Sequence, residues 1–265
     1  MTDVQRRALV TGASGGIGLA LARTLAREGW DLVLAARSVD KLTAVAEDLS
    51  AGGRIVSVYE SDLSEVGAPR ALHSAIEADG IAIDAVVNNA GFATFGEFAQ
   101  LPVERELALV NLNVGAVVQL TGLFLPQMLQ RGHGYILNVA STAAFQPGPL
   151  MADYYASKAY VLHFTEALAN ELAETGVTAT ALCPGPTVTG FQERANMEKS
   201  KLLNRGLMTA ERVAQAAYAG MIKGKPIVIP GFRNKLLSKS YRFVPRRMVT
   251  RVVRGMQEEQ ENAQS

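Results

Sequence analysis

Tyr154 and Lys158 stand four residues apart in the run Tyr154-Tyr-Ala-Ser-Lys158. On a helix, that spacing sets a phenol and an ammonium on one face. A free phenol has a pKa of about 10, and a neighbouring ammonium lowers it by roughly 1 to 3 units. The pair is therefore expected to move a proton: Tyr154 gives one to an oxygen gaining negative charge, or takes one from a hydroxyl, as a general acid or base. Tyr155 has only Ala159 at its own i+4 position and is the poorer candidate. Ser141 follows the apolar run Tyr135-Ile-Leu-Asn-Val-Ala140, at the C-terminal end of a strand, where open parallel sheets hold their ligands. Its hydroxyl is expected to hydrogen-bond the oxygen on which Tyr154 acts.

A second group of residues suits phosphate. Thr11-Gly-Ala-Ser-Gly-Gly-Ile-Gly18 joins an apolar run to a segment with Leu19, Ala22, Leu25 and Ala26 on one helical face. Glycines there permit φ > 0, let the backbone approach a pyrophosphate, and allow the helix to pack tightly on its strand, while the helix N-terminus offers free N–H groups. A dinucleotide is expected, held by Gly12, Ser14, Gly16, Ile17 and Gly18. The next strand ends in Ala36-Arg37, not in the acidic residue that would accept from ribose hydroxyls. A guanidinium at this point forms charge-assisted bonds to a 2′-phosphate, with Ser14 as a second donor, so the expected cofactor is NADP(H). Asn88, opening Asn88-Asn-Ala-Gly91, is expected at the adenosine ribose, where compact residues let the backbone pass close.

These groups need a scaffold that brings strand ends together. Short apolar runs at 6–11, 31–36, 54–59, 82–88, 134–139, 177–182 and 227–229 read as strands. Amphipathic stretches at 17–28, 39–49, 102–130, 154–174 and 210–222 read as helices. Their alternation predicts a doubly wound α/β Rossmann fold with a mostly seven-stranded parallel sheet, spanning residues 1–230, and a C-terminal helical extension at 231–265. A chain of 265 residues, 48% apolar, buries a large single core. Its net charge of +1 argues against a nucleic-acid partner. The single cysteine, Cys183, excludes an internal disulfide, and the three histidines lack metal-ligand spacing. No signal peptide and no apolar run of membrane-span length is read from the sequence, which gives a soluble, cytoplasmic expectation.

The turn at 11–18, Asp62-Leu63, Asn88-Asn-Ala-Gly91, Asn111, Ser141, Tyr154-Tyr-Ala-Ser-Lys158 and Pro184-Gly185 occur in the order carried by the short-chain dehydrogenase/reductase family. From about residue 6 to 229 the chain resembles that family. The resemblance implies hydride transfer between NADP(H) and a carbonyl or alcohol, with Lys158 also bonding the nicotinamide ribose. It implies that Asn111, a poor residue for a helix interior, holds a water linking Lys158 to solvent. It implies adenine contacts from Asp62 and Leu63, although Asp62 equally suits a cap on the next helix through Ser64. It further implies close backbone passage at Ala90 and Gly91, and a nicotinamide cradle from Pro184, Gly185, the Val188 backbone and the Thr189 hydroxyl. Family members commonly associate through the helices that bear Asn111 and Tyr154, so a homodimer or homotetramer is expected.

Substrate signals are less specific. Phe92, Phe95, Phe145 and Pro149 adjoin the site loops and predict apolar walls, and a lid is expected at 190–207, with Phe191, Met197, Leu202 and Leu203 facing substrate or packing inward. A 3-oxoacyl thioester or a lipid- or steroid-like ketone is an alternative substrate. A cofactor-sensing or partner-binding protein is the non-enzymatic alternative, against which the presence of Ser141, Tyr154 and Lys158 speaks. Between 231 and 255 lie eight Lys and Arg residues and no acid, interleaved with Leu236, Leu237, Phe243, Val244, Met248, Val249, Val252 and Val253. Three readings of this tail stay open: packing on the lid or a neighbouring subunit, peripheral contact with an anionic membrane, or a solvated end.

Overall fold

Every residue of Asp31–Ala36 is buried, as a strand must be when helices cover both faces of its sheet. The computed structural model of the protein describes residues 6–189 and 207–257, so the expected lid, apart from Leu207, lies outside the described residues. In chain order the first half comprises β1 (Arg7–Thr11), α1 (Gly16–Arg27), β2 (Asp31–Ala36), α2 (Val39–Ala51), β3 (Val56–Glu60), α3 (Ala68–Ala78), β4 (Ala85–Asn88) and α4 (Val103–Val110). The second half comprises α5 (Ala116–Arg131), β5 (Gly134–Val139), α6 (Ala152–Glu171), β6 (Val177–Leu182), β7 (Thr187–Val188), β8 (Met208–Thr209), α7 (Ala210–Ile222) and β9 (Ile227–Val228), with α8 (Phe232–Ser240) and α9 (Arg246–Gln257) behind them.

The seven-stranded sheet has the order β3-β2-β1-β4-β5-β6-β9, and all its strand pairs are parallel. Strand order reverses between β1 and β4, so a crevice opens there beyond the strands' C-terminal ends. One face of the sheet packs Val10, Leu32 and Leu34 against Leu21, Leu25, Leu42, Val213 and Ala217 from α1, α2 and α7. The other packs Leu9, Val33, Val86 and Ile136 against Leu72, Ile76, Leu120, Phe124 and Leu168 from α3, α5 and α6. The expected α/β architecture is therefore observed, with β3, β4 and β9 shorter than their apolar runs.

Two expectations change. The stretch expected as one helix over 102–130 is interrupted at Asn111–Gly115 by a π-helical turn between α4 and α5, a local widening of the helix that recurs at functional sites. The same 29-residue segment, Val103–Arg131, is long and apolar enough by composition to cross a membrane, contrary to the absence of such a run expected above. Here it is a sheet-covering helix: Leu109, Val117, Leu120, Phe124 and Met128 are buried.

A polar chain crosses the core behind the crevice. Asn88 Nδ2 donates to Asn138 Oδ1 at 2.8 Å and to Thr121 Oγ1 at 3.2 Å. Asn138 Nδ2 in turn donates to Thr165 Oγ1 at 2.9 Å. These bonds tie β4, β5, α5 and α6 together, fixing relative to one another the strand ends and the helix that carry Asn89, Ser141 and Tyr154.

Candidate active site

The glycine-rich turn combines left-handed backbone, which side chains rarely adopt, with close approaches. Gly12 has φ +66, and a Cβ there would stand 3.0 Å from Ala90 Cα. Gly16 has φ +56, and its Cβ would stand 3.2 Å from Thr189 Cγ2. At Gly18 a Cβ would lie 2.3 Å from the Gly12 carbonyl oxygen, so this glycine seats α1 on β1 and does not line the cleft. Asn89 Nδ2 donates to Thr11 O at 2.9 Å and Gly12 O at 3.3 Å, while Thr11 Oγ1 accepts from the backbone N–H groups of Asn89 and Ala90 at 2.9 and 3.0 Å. No side chain caps α1. Its first-turn N–H groups and dipole are open to an anion at the cleft wall formed by Gly15, Gly16 and Ile17.

This cleft has a volume of about 900 Å³ and runs from Arg37 to Tyr154. That is room for a dinucleotide with a small molecule beside it. At the Arg37 end, Ser14, Ser38, Lys41, Asp62 and Leu63 also line the wall. Arg37 Nη1 lies 3.7 Å from Asp62 Oδ2, and Asp62 Oδ1 accepts from Ser64 N at 3.0 Å and Ser64 Oγ at 2.6 Å. Burial works to raise the Asp62 pKa, but the Ser64 bonds and Arg37 outweigh it and hold the carboxyl below its ordinary value. Asp62 thus turns the chain through Ser64 and faces the cleft as well.

At the opposite end Ser141 and Tyr154 line the cleft together, the Ser141 side chain close enough to favour the ionised phenol, and Ser141 Oγ accepts from Ala143 N at 3.0 Å. Lys158 is buried, donates from Nζ to Val139 O at 2.8 Å, and has Nζ 5.9 Å from the centre of the Tyr154 ring. Pro184, Gly185, Pro186, Thr187 and Thr189 form the wall opposite.

Three expectations are corrected by this geometry. Asn111 is exposed and does not line the cleft. Asn113, two residues on, is 1% exposed, bonds the Phe92 backbone through both amide atoms and reaches Ser157 Oγ at 3.1 Å. A Cβ on Gly91 would stand 2.9 Å from Asn113 Oδ1 and 3.5 Å from Lys158 Nζ, so Asn113 is the amide that adjoins Lys158. The signal was present: Asn113 continues the buried stripe of Leu109, Ala116, Val117 and Leu120, whereas Asn111 sits beside exposed Val110. Asn88 is likewise committed to the core, and Asn89 takes the place on the cleft wall. The Tyr154 phenol is not lowered: burial pushes it up against the opposing effect of the Ser141 side chain. The same burial pushes Lys158 from 10.5 down to about 8. Desolvation, not ammonium–phenolate attraction, therefore dominates the pair in this state. Of the remaining cleft expectations, Ala90, Gly91, Pro184, Gly185 and Thr189 line the cavity, whereas Val188 on β7 is exposed and does not.

Sequence reasoning also missed how the C-terminal helices complete the wall. Leu237, Ser238 and Tyr241 from α8 and its following turn, and Val253 and Met256 from α9, line the same cavity. Val249 and Val253 pack with Ala93, Ala143, Met151 and Tyr155. Gln257, fully buried, donates from Nε2 to the Tyr155 hydroxyl at 2.6 Å. None of the three readings of the tail named this contact: residues 231–257 pack on their own chain at the cleft, whereas the lid lies outside the described residues.

The depressed Lys158 has a measurable consequence. Between about pH 8 and 10 the unfolded chain holds more protons at this lysine than the folded one, so its contribution makes stability rise with pH. Over pH 8 to 9, urea unfolding is expected to show that rise, up to about 1 kcal/mol per pH unit, in the native protein relative to Lys158→Met. Parallel curves for the two proteins would show that Lys158 is not desolvated.

Comparison with known proteins agrees with the geometry. The family profile described as short chain dehydrogenase matches residues 6–200. A putative ketoacyl reductase of Streptomyces coelicolor is 40% identical over 180 residues, covering 67% of this chain and 69% of that protein. Nodulation protein G of Rhizobium sp. (strain N33) is 33% identical over 237 residues, covering 85% and 96% respectively. The solved structure of a short-chain dehydrogenase from Sphingobium yanoikuyae in complex with NADPH superposes with a TM-score of 0.80 at 30% identity, covering 98% of each chain. With its glycine turn, strand-end serine and helix-borne Tyr154 and Lys158 assembled around one cleft, the chain belongs to the short-chain dehydrogenase family of oxidoreductases.

Proposed function

We propose that the protein is an NADP(H)-dependent reductase of apolar ketones, or dehydrogenase of the corresponding alcohols. The observation that carries this reading is the Ser141–Tyr154 pair lining one end of a cleft whose other end presents Arg37 and Lys41. The residues present fit a dinucleotide. Gly12 and Gly16 leave a cradle that a Cβ would fill, the uncapped α1 N-terminus suits the pyrophosphate, and Arg37 and Lys41 suit a 2′-phosphate. When bound, the cofactor supplies or accepts a hydride.

The chain's own groups handle the proton. Ser141 orients the substrate oxygen by hydrogen bonding and Tyr154 donates its phenolic proton to that oxygen. Its high pKa, set by burial, keeps Tyr154 protonated and ready to act as an acid in reduction. Lys158, lowered to about 8, exchanges protons near neutral pH and is held by the Val139 carbonyl. In this reading Asn113, the amide that adjoins Lys158, takes the place given above to Asn111 in linking Lys158 to solvent through a water.

Phe92, Met151, Leu237, Tyr241, Val253 and Met256 give the substrate end an apolar character. The Streptomyces coelicolor relative, named as a putative ketoacyl reductase, supports a carbonyl substrate and keeps a 3-oxoacyl thioester as the second reading. Exposed Val103, Leu107 and Val110 on α4, and Tyr160 on α6, supply an apolar face for the proposed homodimer or homotetramer.

In an assay of NADPH oxidation across cyclic ketones, aldehydes and 3-oxoacyl thioesters, the highest kcat/KM is expected for an apolar ketone. Turnover of none of these carbonyls would reject the reading. Arg37→Ala is expected to raise the KM for NADPH by about tenfold, the worth of a charge-assisted phosphate contact, and to leave that for NADH nearly unchanged. Equal effects on both cofactors would contradict the assignment of Arg37. Asn113→Ala is expected to lower kcat by about a hundredfold, as for loss of a proton-relay group, whereas Asn111→Ala stays within about twofold. The reverse order would restore Asn111.

A further inference from the structure

The helices that line the cleft with their inner sides carry a cationic, apolar outer side. On α9, Val249, Val253 and Gln257 face inward. Arg246, Arg247, Met248, Arg251 and Val252 are exposed. Just before it Phe243 is 88% exposed, and Met248 and Val252 are 54% and 52% exposed. Helix α8 buries only Ser238 and exposes Leu236 at 59%, Lys235 and Lys239 away from the cleft, while Phe232 and Arg233, also exposed, line the cleft rim. Among the described residues none of Arg233, Lys235, Lys239, Arg246, Arg247 and Arg251 is in a salt bridge; Arg254, nearer the core, pairs with Glu97 Oε1 at 3.3 Å. Residues 231–257 contain no acid.

We infer that this outer side is a docking surface for an anionic lipid bilayer. Helices that mix exposed cations with large aliphatic and aromatic side chains seat the latter at the headgroup boundary while the former meet lipid phosphates. A nucleic acid would satisfy the cations and leave Leu236, Phe243, Met248 and Val252 in water. A second copy of the chain meeting this surface across a two-fold axis would set like charges against like. The chemistry that answers both the charge and the exposed carbon is an acidic membrane surface. Docking there would bring the cleft close to the bilayer, since Leu237, Tyr241, Val253 and Met256 line the cavity from the inner sides of the same helices. That an apolar ketone is drawn from the bilayer is a consequence that rests on the reductase reading; the docking itself does not.

The test is co-sedimentation of the full chain with phosphatidylcholine vesicles, with and without phosphatidylglycerol, at low and high salt. Binding is expected to the acidic vesicles alone and to fade as salt rises. Arg247→Glu/Arg251→Glu is expected to weaken it by at least about tenfold, and Phe243→Ser, which leaves the charge unchanged, by about fivefold. Circular dichroism and NADPH oxidation with a water-soluble ketone report whether each variant is folded, so loss of vesicle binding is read independently of loss of turnover. Three results would overturn the inference. The first is no binding to acidic vesicles at low salt, and the second is undiminished binding by the double variant. The third is a native oligomer, seen by light scattering, that the double variant dissolves, which would make the surface a subunit contact.

Discussion

The contact between the Gly12 carbonyl and α1 at Gly18 sets the distance between the first strand and the first helix, and the rest of the cleft is built outward from it. A Cβ at Gly18 would stand 2.3 Å from that oxygen and 2.5 Å from Asn89 Nδ2, so any side chain would push the helix away from the strand ends. Asn89 completes the clamp by bonding the Thr11 and Gly12 carbonyls. With the turn held this tightly, the free N–H groups of α1 open where strand order reverses, and the remaining strand ends bring Asp62, Ala90, Ser141 and Pro184 to the same crevice. The core chain of Asn88, Asn138 and Thr165 keeps those ends in register from behind.

Much of this was legible because parallel sheets buried on both faces write themselves as short apolar runs, and because strand-to-helix turns require glycine. The ends of β2, β5 and β6 coincide with those of their apolar runs. Harder to read was which of two neighbouring polar residues serves the site, Asn89 on the cleft wall and Asn113 buried beside Lys158. Asn88 and Asn89 differ by one strand position, and Asn111 and Asn113 by less than one helical turn. In the second case the π-helical turn at 111–115 changes the angular step, and only the burial stripe through Leu109 and Leu120 identifies the inward amide. The Tyr154 shift was misjudged for a different reason: spacing places Lys158 on the same helix face, but burial depth, which a one-dimensional pattern does not carry, decides which electrostatic effect wins.

The C-terminal segment shows how composition and tertiary role can diverge. Its cations mark it as distinct from the preceding α/β alternation, yet the two valines on the inner stripe of α9 and the Gln257–Tyr155 bond seat it beside the residues expected to do chemistry. Tyr155, a poorer candidate for proton transfer by its spacing, is the anchor of this contact. Adjacent tyrosines on one helix thus divide the work, Tyr154 facing Ser141 and Tyr155 holding the wall of the cleft.

The most direct measurement is single-turnover oxidation of NADPH by the best ketone with Tyr154→Phe, which removes one hydroxyl and keeps the ring. The account predicts a rate at least about a hundredfold lower, with NADPH affinity within about twofold of the native protein. A variant that reduces the ketone at the full rate would contradict Tyr154 as the proton donor, and with it the chemistry assigned to this cleft.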